Sequence, residues 1–222
     1  KKKNVNLIIS KSGNTLETIS NSNILISKKD KNIFVTENKK NYLMSLANKL
    51  KAEVIHHNNF IGGRYSVLSE VGMLPAELMG MDSMKFKKFN NLVTNKKFLN
   101  SIIINVSNII ELIKRKKFNS VILNYDETAD NFLKWYQQLV AESLGKKGNG
   151  IFPIISNMPK DNHSLMQLYL DGPKRNFYTF FYTKDRNYSK LNQNIIPDSL
   201  KFLKRKDLGD ILSSKILATK KI

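Results

Sequence analysis

The feature that most constrains the fold of this chain is the alternation of short β-branched runs with amphipathic helical segments. This rhythm indicates a mostly parallel α/β sheet with crossover helices. In such sheets, binding and catalytic groups lie beyond the carboxyl ends of the strands. The predicted strands cover residues 5–9, 33–36, 52–56, 120–124, 151–155 and 176–183, and the predicted helical regions cover 42–51, 75–115, 127–144, 162–170 and 208–222.

Composition limits the class of protein. The chain has 222 residues, of which 41% are hydrophobic, enough for one large domain or two small ones. The sequence has no apolar run of about 18 residues and no secretory signal before the first strand, so we expect a cytoplasmic protein that does not cross a membrane. Zero Cys excludes disulfides and thiol chemistry. His56, His57 and His163 form no recognisable zinc site with the carboxylates, and His56 and His57 are interpreted as strand-end residues.

The net charge of +19 is typical of a nucleic-acid binder, but the Lys residues do not gather on one predicted element. They are scattered along the whole sequence, which has no zinc-finger, RNA-recognition or homeodomain pattern. We interpret the charge as a composition bias on solvated faces, and we expect neither nucleic acid nor a membrane as a partner. The nucleic-acid alternative can be tested by salt-sensitive retention on DNA.

A small polar loop follows the first strand. Ser10, Ser12 and Thr15 supply hydroxyl groups before a predicted helix, and Gly13 permits an unusual backbone angle. Hydroxyls and backbone N–H groups at a helix N-terminus can surround an anion, which makes the loop a candidate phosphate site. The spacing is not that of a Walker A loop, and plain capping of the helix is the alternative.

A second loop, after the third predicted strand, carries Gly62-Gly63-Arg64. Two glycines let the backbone approach a ligand closely and aim the guanidinium of Arg64 inward. A tight turn with a surface Arg is the alternative. Ser66 is a candidate cap for the helix that follows.

The predicted helix that begins near residue 127 or 128 ends before Gly145 and carries Glu142 at the edge of its apolar face, with Gln138 one turn earlier. Beside the negative end of a helix, a lone carboxylate should resist ionisation, which suits a general base near neutral pH. A solvated glutamate in a last turn is the alternative. The residues assigned to the buried face are Phe132, Trp135, Tyr136, Leu139 and Val140.

His163 lies in the first turn of the predicted helix at 162–170. The positive end of that helix disfavours the imidazolium form, and a neutral imidazole can both accept and donate a proton. A capping or packing role is the alternative.

Four motifs follow one another along the chain: the loop from Ser10 to Thr18, Gly62-Gly63-Arg64-Tyr65-Ser66, Gln138 with Glu142-Ser143-Leu144-Gly145-Lys146, and Asn162-His163-Ser164 with Gln167-Leu168. Together and in this order they resemble the phosphoglucose isomerase family. The first is weakly specific by itself, whereas the last three in order are highly specific. Asn162 stands where the family usually has Gln, and Gly13-Asn14 replaces bulkier residues in the first motif.

The resemblance implies a three-layer sandwich of the SIS (sugar isomerase) type, in which helices flank a mostly parallel sheet. Residues 1–183 would form the family's second SIS domain, with a helical insertion at about 75–116, and residues 184–222 a C-terminal connection and helix. We expect that the family's first SIS domain is absent from this chain and that the helix with its active-site Lys is missing or cut. Lys215 and Lys220 are not assigned to that role.

The activity implied by the resemblance is the reversible isomerisation of glucose 6-phosphate to fructose 6-phosphate through a cis-enediol, in glycolysis and gluconeogenesis. Glu142 would carry the proton between C2 and C1, His163 would assist ring opening, and Arg64 would stabilise the enediolate. No metal or redox cofactor is needed, because the hydrogen moves as a proton. The implied assembly is a homodimer in which His163 serves the neighbouring subunit's site. The residues implied to bind the hexose 6-phosphate are Ser10, Lys11, Ser12, Asn14, Thr15, Gly63 and Gln138.

The alternative from another class is a SIS-domain module that binds a phosphosugar without catalysis. Such a module needs the loop at Ser10 but has no need for Arg64, Glu142 and His163 together. We also expect this chain by itself to be weakly active or inactive, because half of the sugar site of the family is missing from it.

Overall fold

The structure, a computed structural model, describes residues 4–27, 29–183 and 187–222. Its strands are parallel and are connected by helices, which confirms the predicted α/β fold. The chain divides into two compact units, Lys1–Asn100 and Ser101–Ile222. Within the described residues, each unit contains a three-stranded parallel sheet. Residues 184–186 of the predicted C-terminal connection lie outside the described residues.

The sheet of the first unit is ordered β1-β2-β3. Its elements in chain order are β1 (Val5–Ile9), α1 (Leu16–Leu25), β2 (Lys31–Glu37), α2 (Tyr42–Leu50) and β3 (Glu53–His57). Apolar residues of β2 and α2, with Phe34 and Leu43 fully buried, form the core of this unit. Ile9 lies opposite Val35 and Glu37 lies opposite His57, so the carboxyl ends of the three strands meet at one edge.

The rest of the first unit is helical. A 3-10 turn at Gly63–Leu68 precedes α3 (Glu70–Leu78), and a second turn at Ser83–Phe89 precedes α4 (Asn90–Thr94). The boundary between the units falls within α5 (Lys96–Lys114). The helical region begins before the predicted residue 75, because Ser69 rather than Ser66 caps α3: Ser69 Oγ accepts from Val71 N at 3.4 Å.

The sheet of the second unit is ordered β5-β4-β6. Its elements are β4 (Asn119–Asn124), α6 (Asp130–Leu144), β5 (Phe152–Asn157), α7 (Asp161–Ser164), α8 (Met166–Asp171), β6 (Asn176–Phe181) and α9 (Leu208–Lys221), with short 3-10 turns at Glu127–Ala129, Gln193–Ile195 and Asp198–Leu203. Residues 120–124 of the central strand are all buried, as expected for a parallel strand covered on both faces. Ile216 of α9 packs with Val121 and Leu123 of β4 in the main core.

The predicted buried face of α6 is wrong in part. Phe132 is 53% exposed, whereas its neighbour Leu133 is 2% exposed. Tyr136 and Val140, which follow Leu133 with helical spacing, are half-buried. The sequence contains two adjacent apolar stripes with the same spacing, and only packing against the sheet decides which stripe turns inward.

The helix predicted at 162–170 is two short helices, α7 and α8, separated at Leu165, whose φ of −122° and ψ of −16° are not helical. The sequence pattern did not reveal the break. Helical hydrogen bonds lie on both sides of it: Leu165 N donates to Asp161 O and Tyr169 N donates to Leu165 O. No helix in the described part of the chain is long and apolar enough to cross a membrane.

Candidate functional site

The loop after β1 brings three hydroxyl groups together at the N-terminus of α1. Ser10 Oγ lies 2.9 Å from Thr15 Oγ1, and Ser12 Oγ lies 3.5 Å from that same atom. Thr15 is the N-cap residue of α1, but its side chain makes no capping hydrogen bond. The hydroxyl of Thr15 thus contacts the hydroxyls of Ser10 and Ser12 and does not cap α1.

Backbone hydrogen bonds hold this loop against β2 and α2. Ser10 N donates to Val35 O at 3.0 Å, Glu37 N donates to Lys11 O at 3.0 Å, and Leu43 N donates to Gly13 O at 3.1 Å. The side chain of Asn14 adds a fourth contact, since its Oδ1 accepts from Tyr42 N at 2.9 Å. The loop therefore has a fixed shape, and Asn14 has a structural contact that the sequence did not reveal.

Gly13 is required for this shape. Its φ is +65°, and a Cβ at this position would lie 2.1 Å from Asn41 Oδ1. Asn41 cannot easily withdraw, because the same oxygen caps α2 by accepting from Met44 N at 2.8 Å. Both the backbone angle and the lack of space explain why a glycine interrupts the hydroxyl cluster.

Arg64 lies in the 3-10 turn after β3. It is half-buried, and its guanidinium carbon lies 5.1 Å from the centre of the Tyr65 ring. At this distance an aromatic face attracts the cation and restricts its orientation. Ser66 Oγ donates to Gly63 O at 2.5 Å, which closes the turn around Arg64. A Cβ at Gly63 would meet nothing within 4 Å, so no neighbour among the described residues requires a glycine there.

Sequence reasoning missed a contact between buried His57 and half-buried Glu70 at the base of this turn. His57, 1% exposed, has Nδ1 2.5 Å from Glu70 Oε1 and Nε2 3.1 Å from Ile61 O. Burial raises the pKa of Glu70, but hydrogen bonds from its own backbone N–H, His57 and Asn58 N outweigh burial and lower the pKa below 4.5. A His at a strand end and a Glu at position 70 give no periodic signal, so the sequence could not reveal that they meet.

In the second unit, Gln138 and Glu142 are in direct contact. Gln138 Nε2 donates to Glu142 Oε1 at 2.9 Å, and both side chains are exposed within this unit. The predicted end of the helix is confirmed: α6 stops at Leu144, and Gly145 N donates to Ala141 O at 2.9 Å. Glu142 is thus two residues from a defined helix end, and the amide of Gln138 orients its carboxylate.

His163 is exposed in the short helix α7. Asp161 ties this helix to the end of β5, because its carboxylate accepts from Ser156 Oγ at 2.8 Å and from Asn157 N at 2.7 Å. The carboxylate also accepts from Oγ of Ser164, the residue after His163, at 3.0 Å. The position of His163 is therefore set by a carboxylate two residues earlier, a contact that its motif does not show.

The predicted site residues are divided between the units. Ser10, Lys11, Ser12, Asn14, Thr15, Gly63 and Arg64 belong to the first, and Gln138, Glu142 and His163 belong to the second. Within the units the structure joins the three hydroxyls to one another and Gln138 to Glu142. Among the described residues, no three His, Asp or Glu side chains are grouped so as to hold a metal ion.

Known proteins resemble this chain in sequence. Residues 1–151 match the family model described as "Phosphoglucose isomerase". A glucose-6-phosphate isomerase from Methanocaldococcus jannaschii is 37% identical over 190 residues, which cover 80% of this chain and 47% of that protein. This chain spans about half the length of the curated relatives that it matches.

Two solved structures are similar in fold. A hypothetical protein from Thermus thermophilus superposes with a TM-score of 0.81 at 23% identity, covering 96% of this chain and 55% of that chain. A glucose-6-phosphate isomerase from Chlamydia trachomatis gives a TM-score of 0.66 at 19% identity, covering 96% of this chain and 44% of that chain. At these identities the structures support the fold. Together with the match over 151 residues and the four motifs, they lead to one conclusion: this chain belongs to the phosphoglucose isomerase family.

Proposed function

We propose that this chain forms part of a glucose-6-phosphate isomerase and supplies its general base, Glu142. The observation that carries the proposal is the hydrogen bond from Gln138 to Glu142, which orients one carboxylate near the end of α6 in a member of this family. A single base is sufficient for an aldose–ketose isomerisation, because C1 and C2 are adjacent and one carboxylate can reach both.

The phosphate group is assigned to the loop after β1. The Ser10, Ser12 and Thr15 hydroxyls converge beside the N-terminus of α1, where Thr15 makes no side-chain cap and backbone N–H groups carry a partial positive charge. Lys11 and Asn14 belong to the same loop, and Gly63 and Gln138 complete the proposed substrate contacts. Binding energy from the phosphate, remote from the reacting carbons, holds the sugar in place for proton transfer.

The proposed reaction begins with ring opening, which His163 assists by moving a proton to the ring oxygen. Glu142 then removes the proton from C2, the C–H electron pair forms the C1–C2 double bond, and the displaced pair of the C1 carbonyl becomes the enediolate charge on O1. Transfer of the C2 hydroxyl proton to O1, through the cis-enediol, moves this charge to O2. Arg64, held against Tyr65, stabilises the enediolate charge. Return of the proton from Glu142 to C1, as the electron pair on O2 forms the C2 carbonyl, gives fructose 6-phosphate. The hydrogen moves as a proton throughout, so the scheme uses no metal or redox cofactor.

We assign the chain to the second SIS domain of a homodimeric, cytoplasmic enzyme of glycolysis and gluconeogenesis, in which His163 acts in the site of the neighbouring subunit. The exposed position of α7 leaves His163 available for this role. The chain spans about half of its relatives, which supports the expectation that it is weakly active or inactive by itself.

The decisive experiment measures exchange of the C2 hydrogen with deuterium from solvent, in a full-length protein that carries this chain. Glu142→Gln should abolish exchange while glucose 6-phosphate still binds, because the amide keeps the shape of the side chain but cannot accept the proton. Glu127→Gln, an exposed glutamate just before α6, is the matched control and should retain exchange.

Unchanged exchange in Glu142→Gln would remove Glu142 as the base. Binding of glucose 6-phosphate by the unsubstituted protein without any exchange would instead identify a phosphosugar-binding module.

A further inference from the structure

The loop that carries Arg64 is closed at its base by a contact between buried His57 and half-buried Glu70. His57 is the last residue of β3 and Glu70 is the first residue of α3, so the pair joins the two ends of the segment between them. Their contact is 2.5 Å, with side-chain exposures of 0% for His57 and 30% for Glu70. A pair at this position fixes the distance between the strand and the helix from which the Arg64 turn projects.

The second ring nitrogen of His57 reaches into the loop itself. Nε2 lies 3.1 Å from the carbonyl oxygen of Ile61, three residues before Arg64. Both partners of the ring, this carbonyl and the carboxylate of Glu70, are hydrogen-bond acceptors. Glu70 Oε1 also accepts from Asn58 N at 3.0 Å. One pair thus holds the loop at residues 58 and 61.

From Ile61 onward, a continuous series of hydrogen bonds leads to α3. Tyr65 N donates to Gly62 O at 2.9 Å, and Ser66 Oγ donates to Gly63 O at 2.5 Å. Ser69 Oγ then donates to Ser66 O at 2.7 Å, directly before the helix begins. The turn around Arg64 is therefore attached along its length, and a shift at its base would be passed to the guanidinium.

The contacts of the pair stabilise the fold and at the same time fix the position of the loop, because Asn58 N and Ile61 O both lie on the chain that leads to Arg64. The segment that the pair holds in place, between His57 and Glu70, carries Arg64.

We propose that His57 and Glu70 are positioning residues that hold the guanidinium of Arg64 where the enediolate forms. The proposal rests on the proposed isomerase function. Because a displacement of about 1 Å can reduce a rate by about 100-fold, loss of the pair should reduce kcat by about 10- to 100-fold and change KM less than threefold. The phosphate loop, held separately by β2 and α2, continues to bind the substrate.

The kinetic test is a double-mutant cycle in the full-length protein that carries this chain. Glu70→Gln and His57→Gln should each reduce kcat when Arg64 is present, and neither should reduce it further in an Arg64→Ala background. Glu53→Gln is the control, because Glu53 is an exposed residue of β3 whose ion pair with Lys31 is also exposed. Equal losses of kcat in the two backgrounds would show a general structural effect and overturn the proposal.

A second measurement needs no activity. Amide hydrogen exchange of residues 61–66 should accelerate at least tenfold in Glu70→Gln, while residues 10–15 should be unchanged. Exchange that stays unchanged at 61–66, or accelerates equally in both loops, would contradict the positioning role. Absence of isomerase activity in the unsubstituted protein would refute the proposed function, and the exchange measurement would still decide whether the pair holds the turn.

Discussion

Gln138 donates a hydrogen bond from Nε2 to Oε1 of Glu142 at 2.9 Å, across one turn of α6. Side chains four residues apart lie on one face of a helix, so the helix itself places the amide beside the carboxylate. The relationship is local and survives any movement of α6 as a rigid element. It ties the orientation of the proposed base to a residue that takes no part in proton transfer.

Replacing Gln138 should therefore lower kcat without removing the base. We expect Gln138→Met, which keeps the length of the side chain but lacks the donor, to reduce kcat by about tenfold, equivalent to about 1.4 kcal/mol. The measurement is steady-state turnover of fructose 6-phosphate, with Asn131→Met, at an exposed position of α6, as the control. Turnover equal to that of the control would show that the amide does not orient Glu142.

The effect of the positive φ at Gly13 can be separated from the effect of the crowding around it by comparing two substitutions. A positive φ alone is expected to cost about 1–2 kcal/mol. Gly13→Ala should lower the free energy of unfolding by more than this, since the new Cβ would also meet Asn41. Gly80→Ala provides the comparison, because Gly80 has a φ of +84° but nothing within 4 Å of its Cβ position. Urea unfolding measures both, and equal losses would mean that Asn41 moves aside without cost.

The face of α6 that packs inward leads to a second prediction about stability. Leu133→Ala should lower the free energy of unfolding by about 2–5 kcal/mol, the range for a buried leucine, whereas Phe132→Ala should cost much less because Phe132 is 53% exposed. Thermal or urea unfolding of the two variants decides between the stripes. A larger loss for Phe132→Ala would restore the face predicted from periodicity.

Asp161 should control the order of the turn that carries His163. Asp161→Asn replaces one acceptor oxygen by a donor, and the three donors from Ser156, Asn157 and Ser164 can no longer all be satisfied. We expect a loss of about 1–3 kcal/mol of stability and faster amide exchange in α7. Asp198→Asn is the control, since Asp198 is 99% exposed in a 3.5 Å pair with Lys204. Amide exchange in α7 equal to the control would contradict this role.

The acid stability of the first unit should depend on Glu70. Its pKa in the folded chain lies below the usual 4.5, so its ionised form stabilises the fold above that pH, and this contribution is lost as the pH falls through the lower folded value. The difference in unfolding free energy between the parent and Glu70→Gln should shrink as the pH falls below 4.5. Urea titrations across this pH range test the prediction. A difference in unfolding free energy that grows in acid would contradict a lowered pKa of Glu70.

Much of the fold could be predicted from the sequence because its strands are β-branched runs of ordinary length and its helices have regular periodicity. The end of α6 at Gly145 follows from local chemistry and is confirmed. The inward stripe of α6 and the break at Leu165 depend on packing and on the contacts of Asp161, neither of which has a periodic signal.

The candidate site shows the same limit. Motifs identified the hydroxyl loop, Arg64, Glu142 and His163, because these residues sit in short, specific patterns. The side chains that support them, such as His57, Glu70 and Asp161, come from other parts of the sequence and meet only when strand ends and helix starts are brought together. The sequence thus predicted the proposed reacting groups and missed the side chains that we propose hold them in place.

The fastening of the loop after β1 has a consequence for its evolution. Ser10, Lys11 and Gly13 each pair through the backbone with β2 or α2, so the spacing between these pairings fixes the number of residues in the loop. An exposed side chain such as Ser12 can be exchanged by mutation without disturbing those pairings. An inserted or deleted codon, in contrast, would break several of them at once. Divergence in this loop should therefore proceed by substitution at constant length.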